Sequence, residues 1–364
     1  MIEKIARDVS EKLNMTPSSD FDGMVGIEAH LKEMEVLLDF DYDGVKIVGI
    51  FGPAGIGKTT IARALHSLLL FKKFQLTCFV DNLRGSYPIG IDEYGLKLRL
   101  QEHLLSKILN QDGMRISHLG AVKERLCDMK VLIILDDVND VKQLEALAND
   151  TTWFGPGSRV IVTTENKEIL QRHGIDNMYH VGFPSDEKAM EILCGYAFKQ
   201  SSPRPGFNYL AQKVTWLCGN LPLGLRVVGS SLRGKKEDEW KSVIRRLDTI
   251  IDRDIEDVLR VGYESLHENE QSLFLHIAVF FNCKDVDLVK AMLADDNLDI
   301  AHGLKILVNK SLIYISTTGE IRMHKLLQQV GRQAINRQEP WKRLILTNAQ
   351  EICYVLENDK VSYF

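Results

Sequence analysis

The chain has 364 residues, 45% of them hydrophobic and 26% charged, a balance that excludes disorder over most of its length. At roughly 150 residues per domain it holds two or three domains. Lys and Arg number 45 against 50 Asp and Glu, and the resulting net charge of −5 speaks against gripping nucleic acid as the main activity.

Residues 1–20 pair a short helical pattern (Ile2, Ile5, Val9, Leu13) with the polar stretch Thr16-Pro17-Ser18-Ser19-Asp20, which reads as a linker. Short apolar runs then alternate with helix-spaced segments. The runs are Val45–Phe51, Thr77–Val80, Val131–Leu135 and Val160–Thr163, with a fifth at Tyr179–Val181. Continuous apolar runs suit strands buried on both faces, so an open parallel α/β sheet is expected. Helix spacing shows in Ile61, Leu65, Leu68 and Leu69, and again in Leu100, Leu104 and Ile108.

After residue 182 strand signals nearly vanish, and residues 185–250 read as helices broken at Pro203/Pro205 and Gly219–Pro222. From about 254, helices are expected over Ile255–Leu266, Ser272–Phe281 and Val286–Leu293. A short hairpin follows, Leu312–Ile315 and Ile321–Met323 around Thr317-Thr318-Gly319, and then another helix. Three helices, a hairpin and a helix predict a winged helix. Within the helix Ser272–Phe281, the residues Leu273, Phe274, Ile277, Ala278, Phe280 and Phe281 are all expected in the core.

One motif carries chemistry by itself. Gly52-Pro53-Ala54-Gly55-Ile56-Gly57-Lys58-Thr59 fits the phosphate-binding pattern G-x-x-x-x-G-K-[ST], between an expected strand and an expected helix. The glycines let the backbone N–H groups of Gly55, Ile56, Gly57, Lys58, Thr59 and Thr60 curl around phosphate oxygens at a helix N-terminus. Lys58 supplies a point charge to the β- and γ-phosphates, and the Thr59 hydroxyl is placed for Mg²⁺.

The run Leu132–Leu135 drives a strand into the sheet and leaves Asp136 and Asp137 at its carboxyl end. Two acids there could simply end a strand and cap a helix. Beside a phosphate loop, Asp136 reads as the second Mg²⁺-side residue and Asp137 as the catalytic residue that orients or deprotonates a water. The strand Gly157-Ser158-Arg159 to Thr163-Thr164 ends in hydroxyls that either sense a γ-phosphate or are merely solvated.

Taken in order, the phosphate loop, Leu135-Asp136-Asp137, Gly157-Ser158-Arg159 to Thr163-Thr164, Gly219-Asn220-Leu221-Pro222-Leu223 and Met323-His324 resemble the NB-ARC module. That module is the nucleotide switch of plant intracellular immune receptors and animal apoptosis adaptors. The segment Asp20-Phe21-Asp22-Gly23-Met24-Val25-Gly26-Ile27-Glu28 looks like its opening, and Trp153 to Arg159 with Leu135 to Asn139 looks like the plant class bearing a TIR domain. The resemblance spans about residues 20–356.

It implies a linker 1–20, a P-loop nucleotide-binding domain 21–182, a helical domain 183–253, a winged-helix domain 254–345 and a tail 346–364 leading toward leucine-rich repeats. It also implies that Pro222 and the backbone near Val25 contact adenine and that His324 reaches the β-phosphate of ADP. Read from its residues alone, His324 would be an ordinary histidine at a strand end. ADP would hold the module closed, and exchange for ATP would open it to self-association. The parent receptor would act in the cytoplasm or nucleus, and any NAD-cleaving activity of a TIR domain would lie outside these residues.

Two positions depart from the family pattern. Met323-His324-Lys325 stands where Met-His-Asp is usual, so Lys325 is expected either to point to solvent or to add a cationic contact to nucleotide. Glu165 follows Thr163-Thr164 where many relatives carry a γ-phosphate-sensing arginine. A carboxylate there would repel phosphate, so ATP hydrolysis is expected to be slow at most. The rival readings are a working P-loop ATPase and a DNA-binding winged-helix regulator.

Other features read as structural. The cysteines Cys78, Cys127, Cys194, Cys218, Cys283 and Cys353 show no Cys-x-x-Cys pair and read as buried, reduced thiols. The doublets Lys72-Lys73, Lys235-Lys236 and Arg245-Arg246 read as solvated helix ends. The acids Asp285, Asp287, Asp295, Asp296 and Asp299 lack the spacing of a calcium loop and read as polar surface opposing DNA. No apolar run reaches the roughly 18–20 residues of a membrane span, and the mixed-charge start lacks the apolar block of a signal peptide.

Overall fold

The structure is a computed structural model that describes residues 21 and 23–357, apart from 71–73, 82, 87–91, 112, 249, 294–298, 338, 340–342, 344 and 347–348. The expected linker 1–20, Lys72-Lys73, Asp295 and Asp296 lie outside the described residues, as does 358–364 of the expected tail. The chain divides into two compact units, one ending at Gly182 and one beginning at Phe183.

In the first unit five strands form one parallel sheet: β1 (Lys46–Phe51), β2 (Leu76–Val80), β3 (Val131–Leu135), β4 (Arg159–Thr164) and β5 (Met178–His180), in the order β2-β3-β4-β1-β5. β3 and β4 are buried at every residue, as strands covered on both faces must be. The helix Lys58–Leu69 packs Ile61, Ala62, Ala64, Leu65 and Leu69 inward, and Glu93–Ile108 does the same with Leu96, Leu100, Leu104, Leu105 and Ile108. Parallel pairing aligns every carboxyl end on one edge. β1 lies between β4 and β5, where the strand order reverses, and that switch point is where open α/β sheets bind ligands.

Arg159, the first residue of β4, is 1% exposed. Its Nε donates to the Leu38 carbonyl at 2.6 Å, Nη1 to Gly44 and Ser158 at 2.8 Å each, and Nη2 to Asp39 at 2.6 Å and Tyr42 at 2.7 Å. These carbonyls include the unpaired end of the helix Ile27–Leu38 and the loop entering β1. A guanidinium has five N–H donors, and the fold uses them all. The Gly-Ser-Arg stretch is thus a structural clip.

The second unit opens with the helices Asp186–Phe198, Asn208–Cys218, Pro222–Leu232 and Glu237–Leu247. Trp240, fully buried, stacks on Phe198 at 5.2 Å between ring centroids and meets Phe207 edge-on. The helices Arg253–Glu264, Glu268–His276, Val286–Met292 and Ile300–Asn309 follow. β6 (Ile313–Ile315) then pairs antiparallel with β7 (Ile321–Met323), and the helix Lys325–Asn336 completes a winged helix.

Expectations for one helix and for the burial of all the cysteines are corrected, while Asp285, Asp287 and Asp299 are exposed as expected. The helix expected over Ser272–Phe281 is α-helical only to His276, and Ile277–Phe281 is a π-helical turn. The wider turn shifts the phase of the side chains, so Ile277, Ala278 and Phe281 are buried while Phe280 is 50% exposed and outside the core. Asp285 and Asp299 are N-caps as well as surface, accepting from Asp287 N and His302 N. Cys283 and Cys353 are exposed, whereas burial pushes the Cys78 and Cys218 thiols up to about 12 and Cys194 up to about 11.

Candidate functional site

β1 delivers the phosphate loop to the carboxyl edge of the sheet, and the helix Lys58–Leu69 leaves from it. Gly57 adopts φ +107°, and a Cβ built there would meet nothing within 4 Å, so the loop encloses open space where a side chain would intrude. Ile56, buried at 4% exposure, pins the loop to the core. No side chain caps the helix, so the first-turn N–H groups of Lys58, Thr59 and Thr60 face that space with the positive end of the helix dipole.

Lys58 is 8% exposed and folds back so that Nζ donates to the Gly52 and Pro53 carbonyls, each at 2.9 Å. Burial holds the ammonium below its ordinary pKa against the pull of Glu165 and Asp137. A buried ammonium held by neutral carbonyls is an incomplete anion site.

At the end of β3, Asp136 Oδ1 accepts from Thr59 Oγ1 at 3.0 Å and from Thr163 Oγ1 at 2.6 Å. The Thr163 hydroxyl oxygen in turn accepts the Asp137 N–H at 2.9 Å. Thr163 is 1% exposed, so this hydroxyl at the end of β4 is a bracket for both acids and is not merely solvated. Asp137 sits at φ +59°, a left-handed conformation that Asp tolerates. Burial raises the Asp137 pKa, with Arg84 opposing.

Arg84 is the residue the sequence reading missed. It lies in the 3₁₀ turn Leu83–Ser86 after β2, and its Nη2 donates to Glu165 Oε2 at 2.7 Å while standing 3.3 Å from Asp137 Oδ1. Glu165 therefore faces a cation, and its expected repulsion of phosphate is offset. An arginine just beyond a strand end on the phosphate-loop edge was the available signal.

Val25 occupies the turn before the helix Ile27–Leu38 in the first unit. In the second unit, Pro222 is the first residue of its helix, where its missing N–H costs nothing. His324 lies in the same unit and stacks on Phe183, with centroids 4.9 Å apart and planes 4° from parallel. Its Nε2 donates to the Gly219 carbonyl at 2.8 Å. Gly219 has φ +57°, and a Cβ there would lie 2.4 Å from Nε2, so both conformation and space demand glycine. Lys325 does not point to solvent: Nζ lies 3.2 Å from the centroid of the Trp216 ring, buried and without a hydrogen-bond partner among the described residues. Burial lowers its pKa.

Two family models match these regions: the NB-ARC domain over residues 27–203, and the disease resistance protein Roq1-like winged-helix domain over residues 267–339. Disease resistance proteins RML1A and RML1B of Arabidopsis thaliana are 78% and 71% identical, each over 99% of this chain. The chain carries the NB-ARC module of plant disease-resistance proteins. It spans 36% of the length of those two relatives. The Walker-type ATPase PABY2304 of Pyrococcus abyssi has the same fold at a TM-score of 0.61 and 13% identity, covering 87% of this chain and 98% of that one.

An NB-ARC module of this fold binds a nucleotide, and its phosphate cradle suits one: open space at Gly57, uncapped helix N–H groups and a buried ammonium. Thr59 and Asp136 offer hard oxygen ligands of the kind Mg²⁺ takes alongside nucleotide phosphates. Among the described residues no three His, Cys, Asp or Glu side chains come together as a self-sufficient metal site, and no helix is long and apolar enough to cross a membrane.

Proposed function

We propose that the module is an ADP/ATP switch with, at most, slow hydrolysis. One observation carries this reading. His324, at the start of the last winged-helix helix, donates its Nε2 proton to the loop that carries Pro222, so one imidazole links the winged helix to an expected base-contacting segment. A ligand switches a protein only through contacts that differ between its two states. A phosphate oxygen competing with the Gly219 carbonyl for that proton is such a contact.

In this reading, the N–H groups of Gly55 to Thr60 hold the phosphates, and Lys58 exchanges its two carbonyl partners for phosphate oxygens. Thr59 and Asp136 hold Mg²⁺, which when bound offsets phosphate charge. Asp137 orients a water, and Val25 and Pro222 contact the base. ADP favours the closed arrangement, and ATP favours one that self-associates in the whole receptor. TIR and leucine-rich-repeat domains, and action in the cytoplasm or nucleus, belong to that same proposal for the whole receptor.

Denaturing the purified chain and identifying the released nucleotide by chromatography tests the reading. Near-stoichiometric ADP, lost in Lys58→Ala, is the expected result. A chain that turns over ATP several times per second would instead be a working ATPase.

A further inference from the structure

Glu165 occupies a position where a cation would be useful to a triphosphate, yet a cation stands beside it. The turn bearing Arg84 is fastened on both sides: Leu83 N donates to the Asp136 carbonyl at 3.2 Å, and Gln143 Nε2 donates to the Leu83 carbonyl at 2.7 Å. Leu83 itself is fully buried. The guanidinium is therefore delivered from a rigid base, and it reaches from the end of β2 past Asp137 to Glu165 beyond β4. Its side chain keeps 26% of its surface exposed.

The same edge holds the phosphate-loop lysine, whose ammonium feels the charges of Glu165, Asp137, Arg84 and Asp136. Among the described residues, Asp136, Asp137 and Glu165 thus bring negative charge to an edge where Lys58 and Arg84 are cations. Without Arg84 less of that charge would be offset, an electrostatic setting more hostile to an added phosphate. Guanidinium groups pair with phosphate as readily as with carboxylate, in the same planar fork.

We propose that Arg84 reads the third phosphate of a nucleoside triphosphate, with Glu165 and Asp137 holding the guanidinium until phosphate oxygens displace them. The inference rests on the ADP/ATP reading and deepens it, assigning to β2 a task that the residue after Thr164 cannot perform here. It makes Glu165 a competitor of the ligand, so substitutions at the two ends of one ion pair have opposite effects.

The test is calorimetric titration of the 364-residue chain with Mg²⁺-ADP and with a non-hydrolysable ATP analogue. Arg84→Gln is expected to weaken the analogue tenfold or more and leave ADP within twofold, with Arg84→Lys intermediate. Glu165→Gln is expected to tighten the analogue severalfold, again with ADP unchanged. Retained ADP binding shows that each variant is folded, and Glu165→Gln still decides the matter if Arg84→Gln does not fold. Equal losses for both ligands in folded Arg84→Gln, or weaker analogue binding in Glu165→Gln, overturn the role of Arg84 while leaving the ADP/ATP reading intact. A native chain that binds neither nucleotide overturns that reading and this inference together.

Discussion

His324 Nε2 lies 2.8 Å from the carbonyl oxygen of Gly219, while its Nδ1 stands 3.2 Å from the Leu326 N–H. A carbonyl only accepts and a backbone N–H only donates, so the imidazole is the neutral tautomer with its proton on Nε2. Adding a proton at Nδ1 would break the N-cap of the helix Lys325–Asn336.

That assignment has a pH consequence. Burial holds the His324 pKa below its ordinary value, with the Gly219 carbonyl opposing. The unfolded chain therefore binds the proton more readily, with a pKa of about 6.5. The contribution to stability is complete above that value and is lost as pH falls through the folded pKa. Denaturant unfolding is expected to show lower stability at pH 5.5 than at pH 7.5, with a shallower decline in His324→Gln. Identical pH slopes in the two proteins would show that His324 is not the titrating group.

Arg159 places a folding requirement on the first unit. Its removal leaves the carbonyls of Leu38, Tyr42 and Gly44 without this donor, while Asp39 keeps only the Tyr42 N–H. Each buried unsatisfied group costs about 1–3 kcal/mol, part of which water recovers at the loop. Arg159→Ala is expected to destabilise the unit by about 3–5 kcal/mol, and Arg159→Lys by little less, because an ammonium has only three donors. A loss below about 1 kcal/mol in an unfolding titration would contradict the clip.

Lys325 and Trp216 form a cation–π pair whose cationic nitrogen is shielded from water. Such pairs contribute about 0.5–2 kcal/mol, rising with desolvation. A double-mutant cycle with Lys325→Met and Trp216→Leu is expected to give a coupling of about 1–2 kcal/mol. Coupling within experimental error of zero would reduce the pair to coincidence.

Thr163 braces Asp136, the proposed Mg²⁺-side acid. Thr163→Val removes the 2.6 Å donor to Asp136 and the acceptor for the Asp137 N–H while preserving side-chain shape. Partners of this kind typically change metal affinity about 10–100-fold. Nucleotide affinity is therefore expected to fall about tenfold with Mg²⁺ and little in EDTA. Equal losses under both conditions would indicate general damage to the loop.

Much of the first unit was legible beforehand, because its information is local. An apolar run of five or six residues can only be a buried strand here, and a glycine loop between strand and helix states its own purpose. Winged-helix hairpin residues were equally plain, since alternation around Gly319 leaves few options. The π-helical turn was not legible: an α-helical period extrapolated through Ile277–Phe281 puts Phe280 inside.

What the sequence by itself determined is the five strands of the first unit, the winged-helix hairpin, the phosphate loop and the two acids after β3, since each is specified by residues within a few positions of one another. The tertiary structure alone decided that Arg84 meets Glu165, 81 residues away, that Arg159 clips Leu38 at a separation of 121, and that His324 meets Gly219 at 105. No local propensity encodes such pairs. They form because packing of the sheet and helices brings polar groups together in places that exclude water, where an unpaired donor or charge is too costly to leave.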